Sequence, residues 1–252
     1  MLFKLFGKNN GPIHTTIFML CSATFAYLTF FHFTLAEWLA LFVGGTIFTG
    51  FTTSGFLHRY CSHRSWRMPR WLEVFLLGST TALLNQPAMG WAAIHLSHHK
   101  HTDKEGDPHG HIHSIWDNFC VFNKVPPLRH IPRWMLRDRL YAKQSKYYWE
   151  IAIVLNIILS YLLSWQVMVS LIAMSYLYQV GLNLVGHTNE LKPRNNWLLA
   201  IPWMGELYHA NHHWKPGNAR FGMLDGTYYL MIKWAQMLVS EPKSTKTNTK
   251  TY

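Results

Sequence analysis

Lysine and arginine are missing from two long stretches of this chain, residues 9–58 and 147–191, although 23 of them occur in its 252 residues. Two precede residue 9, thirteen lie from Arg59 to Lys146, and eight lie from Lys192 onwards. Each cation-free block is long enough for two bilayer crossings of about 20 residues with little left for a connection. Nearly half of the chain is apolar and only 14% is charged, which argues against disorder. The net charge of +11 does not point to nucleic acid, because a nucleic-acid binder would interleave its cations with its fold. The three cysteines form no CxxC pair, so neither a disulfide scaffold nor a zinc ribbon is expected.

The blocks divide into predicted spans over 15–33, 35–57, 147–165 and 166–187, with turns at Thr34 and Trp165. The expected fold class is therefore an all-α integral membrane protein, a single domain over 1–252 with two antiparallel transmembrane hairpins. Two hairpins put both termini and the middle segment on one side, and the positive-inside bias makes that side cytoplasmic. Residues 58–146 and 188–240 then form one cytosolic helical cap, and 241–252 reads as a disordered tail. Amphipathic pieces over 70–84 and 226–239 are expected to lie against the interface. The membrane is the bacterial inner membrane or the endoplasmic reticulum, depending on source.

Against this map stand sixteen histidines, eight of them in three boxes: "HRYCSH" from 58, "HLSHH" from 95 and "HANHH" from 209. Residues three and four apart share a helix face, so His95, His98 and His99 point one way, as do His209, His212 and His213. His58 and His63 are about 140° apart on an ideal helix. They converge only if the helix ends between them or if they serve two ions. His187, at the cytoplasmic end of the fourth span, is a ninth candidate, with Asn183 one turn earlier. His101, His109, His111, His113 and His130 read as residues behind the ligands, on the surface or in loops, and His14 and His32 as interfacial polar groups.

Imidazole suits iron, zinc, copper or nickel, so spacing alone leaves the metal open. Nine ligands exceed one four-coordinate zinc site and fit two octahedral-like ions with open positions. A redox-active pair beside a membrane points to oxygen chemistry on an apolar substrate.

With the boxes, the Asn-x-x-x-His of Asn183 and His187, "WAAIHLSHHKHTD", "GDPHG" and "GELYHANHH", the chain from about Gly55 to Val239 resembles the membrane-bound histidine-box fatty acid desaturases of the acyl-CoA delta-9 type. The resemblance implies a di-iron centre held by His58, His63, His95, His98, His99, His187, His209, His212 and His213, with Asn183 contacting one iron through water. It implies dioxygen as cosubstrate and a cis double bond as product. It also implies a bent apolar tunnel, for which Trp91, Trp116 and Trp203 are candidate lining residues. No catalytic residue is expected beyond the metal centre. Animal acyl-CoA members carry Arg-Asp just before the second box, where this chain has Ala93 and Ile94. Acyl-CoA is thus the favoured substrate, with acyl carrier protein thioesters and lipid-linked acyl chains as the others. Lys100, Lys104, Arg129 and Arg133 stand ready for a phosphorylated carrier or for the lipid surface.

The reaction consumes two electrons, and the sequence shows no iron–sulfur cysteine set, no GxGxxG and no cytochrome b5 signature. A separate donor is expected, either a cytochrome b5-like protein or a ferredoxin with its reductase, docking an acidic face on the basic cap. The competing readings are a di-iron fatty acyl or alkane hydroxylase and, from a different class, a metal transporter. Transporters place ligands near the bilayer midplane, whereas these histidines map to one end of the spans.

Overall fold

The computed structural model describes residues 11–110, 112–120 and 128–239. The expected tail over 241–252 and His111 lie outside them. The described residues are helical and loop structure, with two isolated β-bridges and no strand. In chain order the helices are α1 (Gly11–Phe31), α2 (Leu35–Thr49), which continues without a break as a π-wound segment (Gly50–Ser62), α3 (Arg70–Ala82), α4 (Ala88–His101) and α5 (Ile115–Phe119). The remainder are α6 (Arg133–Arg137), α7 (Arg139–Lys146), α8 (Tyr148–Leu162), α9 (Trp165–Val185), α10 (Trp197–Ala200), α11 (His209–Trp214) and α12 (Lys233–Met237).

Among the described residues three helices are long and apolar enough to cross a bilayer: Gly11–Phe31, Leu35–Ser62 and Trp165–Val185. The predicted span over 147–165 is shorter than expected. At 15 residues, α8 rises about 22 Å, against a hydrocarbon core of roughly 30 Å. The turns fall where the sequence puts them. Thr34 and Glu37 form a reciprocal capping box at the start of α2, and the Ser164 hydroxyl accepts the Val167 N–H at the start of α9. The pairing differs from two simple hairpins, however, because α1 packs chiefly on α9, and α2 also packs there. Phe18 stacks on Tyr176 at 4.5 Å in an apolar core that includes Cys21, Leu84, Ile172 and Val180. Large apolar side chains such as Phe30, Tyr161 and Leu162 stay exposed.

Two further departures shape the site. The 70–84 segment, expected against the interface, packs on α8 and on the π-wound segment while Trp71, Val74 and Phe75 stay exposed, and the Asn156 amide reaches the carbonyl of Ala82 midway along α8. The turn that follows carries Leu84 and Gln86 in left-handed conformation and buries Asn85. That side chain is tied to Thr53, Ser175 and Gln179. The second departure is the winding of Gly50–Ser62. Met204 lies against Gly50 and Met231 against Gly55, at positions where a Cβ would clash. A ladder closing i→i+5 brings residues five apart towards one face, a device that recurs at functional sites. His14 also departs from its interfacial assignment. It is buried among Phe18, Tyr148 and Trp149.

Candidate metal centre

The π-wound segment ends at Ser62, so His63 is the first residue beyond it, and the rings of His58 and His63 lie 5.3 Å apart. Helix end and winding together bring to one place a pair that an α-helix would separate. α4 presents His95, His98 and His99, α11 presents His209, His212 and His213, and His187 stands two residues beyond α9. All nine imidazoles therefore meet, although they come from four separate segments.

They meet as two groups. His58, His63, His95, His99 and His212 bring one ligand atom each within 4.8 Å of one another, and so do His98, His187, His209 and His213. Each HxxHH box feeds both groups, in opposite senses. The i and i+4 histidines of α4 join the first group and the i+3 histidine the second, whereas α11 sends its i and i+4 pair to the second and its i+3 residue to the first. Asn183 lines the cavity against the groups, together with His95, His98 and His209.

The donor chemistry fits cations. Nε2 atoms face each other at 2.8 Å between His58 and His212, His63 and His95, and His212 and His99, and at 3.0 Å between His187 and His209. Three of the nine rings have their Nδ1–H groups committed elsewhere. His58 donates to Glu206 at 2.5 Å, His98 to Asp107 at 2.8 Å and His187 to Asp103 at 2.6 Å. A neutral ring that donates through Nδ1 carries only a lone pair at Nε2, so lone pairs converge where positive charge is needed. Carboxylates behind ligating histidines are the usual outer support of a metal site, since they fix tautomer and ring orientation. Nδ1 of His209 and of His212 is buried without a hydrogen-bond partner.

Sequence reasoning assigned no role to Asp103, Asp107 or Glu206. Their signal was the acidic residues embedded in the box words "HTD", "GDPH" and "GELYH". Glu206 is aimed inwards by a turn in which Met204 and Gly205 both have positive φ, and a side chain at Gly205 would collide with Asp225. His109, read from sequence as a residue behind the ligands, on the surface or in a loop, is a buried wall of the cavity and stacks on His98 at 4.2 Å. Of the three tryptophans, Trp91 lines the cavity, stacks on His95 and donates its indole N–H to Gln179 at 2.8 Å. Trp116 is 63% exposed on α5, and Trp203 packs outside the lining, donating to the Tyr178 carbonyl. Ala93 is buried in the apolar core and Ile94 faces the cavity, so no charge stands there.

Burial pushes the imidazoles of His95, His98, His209 and His212 well below their ordinary value of 6.5, and that of His99 down to about 3. Burial alone would raise the Glu206 carboxyl, but His58, Arg59 and the Ser54 hydroxyl hold it at about 2. Both shifts act in one direction. Between the unfolded and folded values the unfolded chain binds protons that the native site refuses, so stability falls with pH. For the metal-free protein in detergent, the thermal midpoint is expected to drop progressively from pH 6.5 to 4. A midpoint flat across that window would contradict a site of buried neutral imidazoles.

A helical chain with membrane-length apolar helices and two facing imidazole clusters that could hold metal has the make-up of a membrane metalloprotein. Comparison with known proteins narrows it: residues 33–225 match the fatty acid desaturase family, and the chain belongs to that family. It is an oxidoreductase of fatty acyl chains. It is 29% identical over 187 aligned residues to an sn-1 stearoyl-lipid 9-desaturase of Anabaena variabilis, with 68% of each chain covered. It is 26% identical over 234 residues to a delta-9 desaturase-like protein of Arabidopsis thaliana, covering 77% of this chain and 73% of the relative. An acyl-CoA 5-desaturase of Anemone leveillei is 29% identical over 222 residues, covering 77% and 68%.

Proposed function

We propose that this protein introduces a cis double bond at the delta-9 position of a long acyl chain, using a di-iron centre held by the nine histidines, with Asn183 acting through water. The reaction removes one hydrogen from each of two adjacent methylenes. With one O2, two external electrons and two protons it yields the alkene and two waters. Bound iron supplies the oxygen activation that unactivated C–H bonds require.

The chain's own residues do the rest. Glu206, Asp107 and Asp103 hold the Nδ1 protons of His58, His98 and His187, so that each Nε2 is presented as a donor. Trp91, pinned by Gln179 and stacked on His95, forms the wall that holds the acyl chain against the centre, with Tyr178 and Leu182 beside it. The apolar pair Ala93 and Ile94 suits an acyl chain linked to a membrane lipid better than a CoA thioester, whose head group needs cations. In this reading α8 completes a fourth span alongside α1, α2 and α9. The site then lies on the cytoplasmic side, where a cytochrome b5-like protein or a ferredoxin delivers the electrons.

The observation that carries the proposal is the division of nine imidazoles into groups of five and four, each backed by a carboxylate. Expression in a host lacking its own desaturase, followed by lipid analysis, tests it. A new delta-9 cis alkene is expected, first in glycerolipids. Products that gain an oxygen atom would favour a hydroxylase, and metal uptake without a lipid product would favour a transporter.

A further inference from the structure

The π-wound segment buries an arginine. Arg59 has no exposed surface, and neither do the two carboxylates that it meets, Glu206 and Asp225. Its Nη2 donates to Glu206 Oε1 at 3.2 Å. Its Nη1 donates to Asp225 at 2.8 Å and to the Ala219 carbonyl at 2.9 Å. The guanidinium lies flat on Phe221, 3.7 Å from the ring centre, and Phe221 in turn packs on His58 and His212. Asp225 is itself held by the backbone N–H groups of Phe221 and Tyr228. The result is an unbroken ionic row, Asp225 to Arg59 to Glu206 to His58, ending at the five-histidine group.

Desolvating three ions is costly, and a buried network of this kind is weak evidence of a gain in stability. Its arrangement has an electrical consequence. The two carboxylates behind the four-histidine group, Asp103 and Asp107, face imidazoles and have no lysine or arginine in ion pairing with them among the described residues. The carboxylate behind the five-histidine group is shared with a cation. We infer that Arg59 and Asp225 are positioning residues that set the strength of the first group alone: Arg59 draws charge from Glu206, Asp225 limits how much it draws, and the balance fixes how strongly His58 donates. The two ion positions are thus unequal by design of their outer charges.

This inference rests on the two-ion reading above, and the test separates the two. Full-length protein in detergent is stripped of metal and titrated with Co2+, with the absorption bands followed for each equivalent. Wild type is expected to take up two equivalents. If it does not, the two-ion reading fails, and the inference with it. In Asp225→Asn, Arg59 acts on Glu206 undivided, and one of the two equivalents is expected to bind at least about tenfold more weakly, with the other unchanged. The thermal midpoint of the metal-free variant, measured in parallel, reports whether the fold survives. Arg59→Lys keeps the charge but loses the fork to both carboxylates and is expected to disturb the same equivalent. Weakening of both equivalents together, or of neither, in folded Asp225→Asn would overturn the inference.

Discussion

Replacing His98 with alanine is expected to abolish the alkene product and to leave a protein that retains about one metal ion in place of two. His98 belongs to the four-histidine group with His187, His209 and His213. Its ring also donates a hydrogen bond to Asp107, so the substitution takes one donor away from a buried carboxylate. His212→Ala is expected to abolish the product equally while removing an ion from the five-histidine group. Because the groups draw on the same two helices, loss of one ion from each variant, measured by elemental analysis of the purified proteins, distinguishes two sites from one large shared cage. Substantial product from both variants would overturn the assignment of the metal centre.

Glu206→Gln is expected to have the largest effect of any substitution that leaves all nine ligands intact. It removes the charge that orients His58, for which metal affinity or activity should fall about 10–100-fold. It also takes one partner from the buried Arg59 network, for which the general cost is about 3–5 kcal/mol. Asp225 keeps its hold on Arg59, so the lower end of that range is expected. Asp138→Asn is the matched control. Asp138 pairs with Arg70, which is half exposed, and such pairs contribute less than about 1 kcal/mol. Thermal midpoints of the two variants, each with and without metal, make the comparison. If Glu206→Gln melted and bound metal as Asp138→Asn does, the outer carboxylates would have no part in building the site.

Much of this was legible from residues alone, for reasons that are local. Cations are excluded from segments that meet lipid, so α1, α2 and α9 could be read within a few residues of their observed bounds. The face shared by His95, His98 and His99 follows from helical repeat, as does that of His209, His212 and His213. Less legible was the length of α8, because hydropathy continues through Leu163, Ser164 and Trp165, where the chain turns. The partner of 70–84 was not legible for a related reason: an amphipathic pattern shows that one face is buried, and not that α8 and the π-wound segment bury it.

What the sequence determined by itself was the set of candidates: which imidazoles could ligate, and that they lie at the ends of the cation-free apolar stretches or beyond them. These depend on residue type and on periodicities of a few residues. Only the tertiary structure decided that each HxxHH box is split between two histidine groups, that an i→i+5 winding brings His58 and His63 together, and that Glu206, Asp107 and Asp103 stand behind the imidazoles. Those outcomes depend on how α4, α11 and the π-wound segment cross in space, and crossing geometry is set by packing between segments up to about 150 residues apart, which no local spacing encodes.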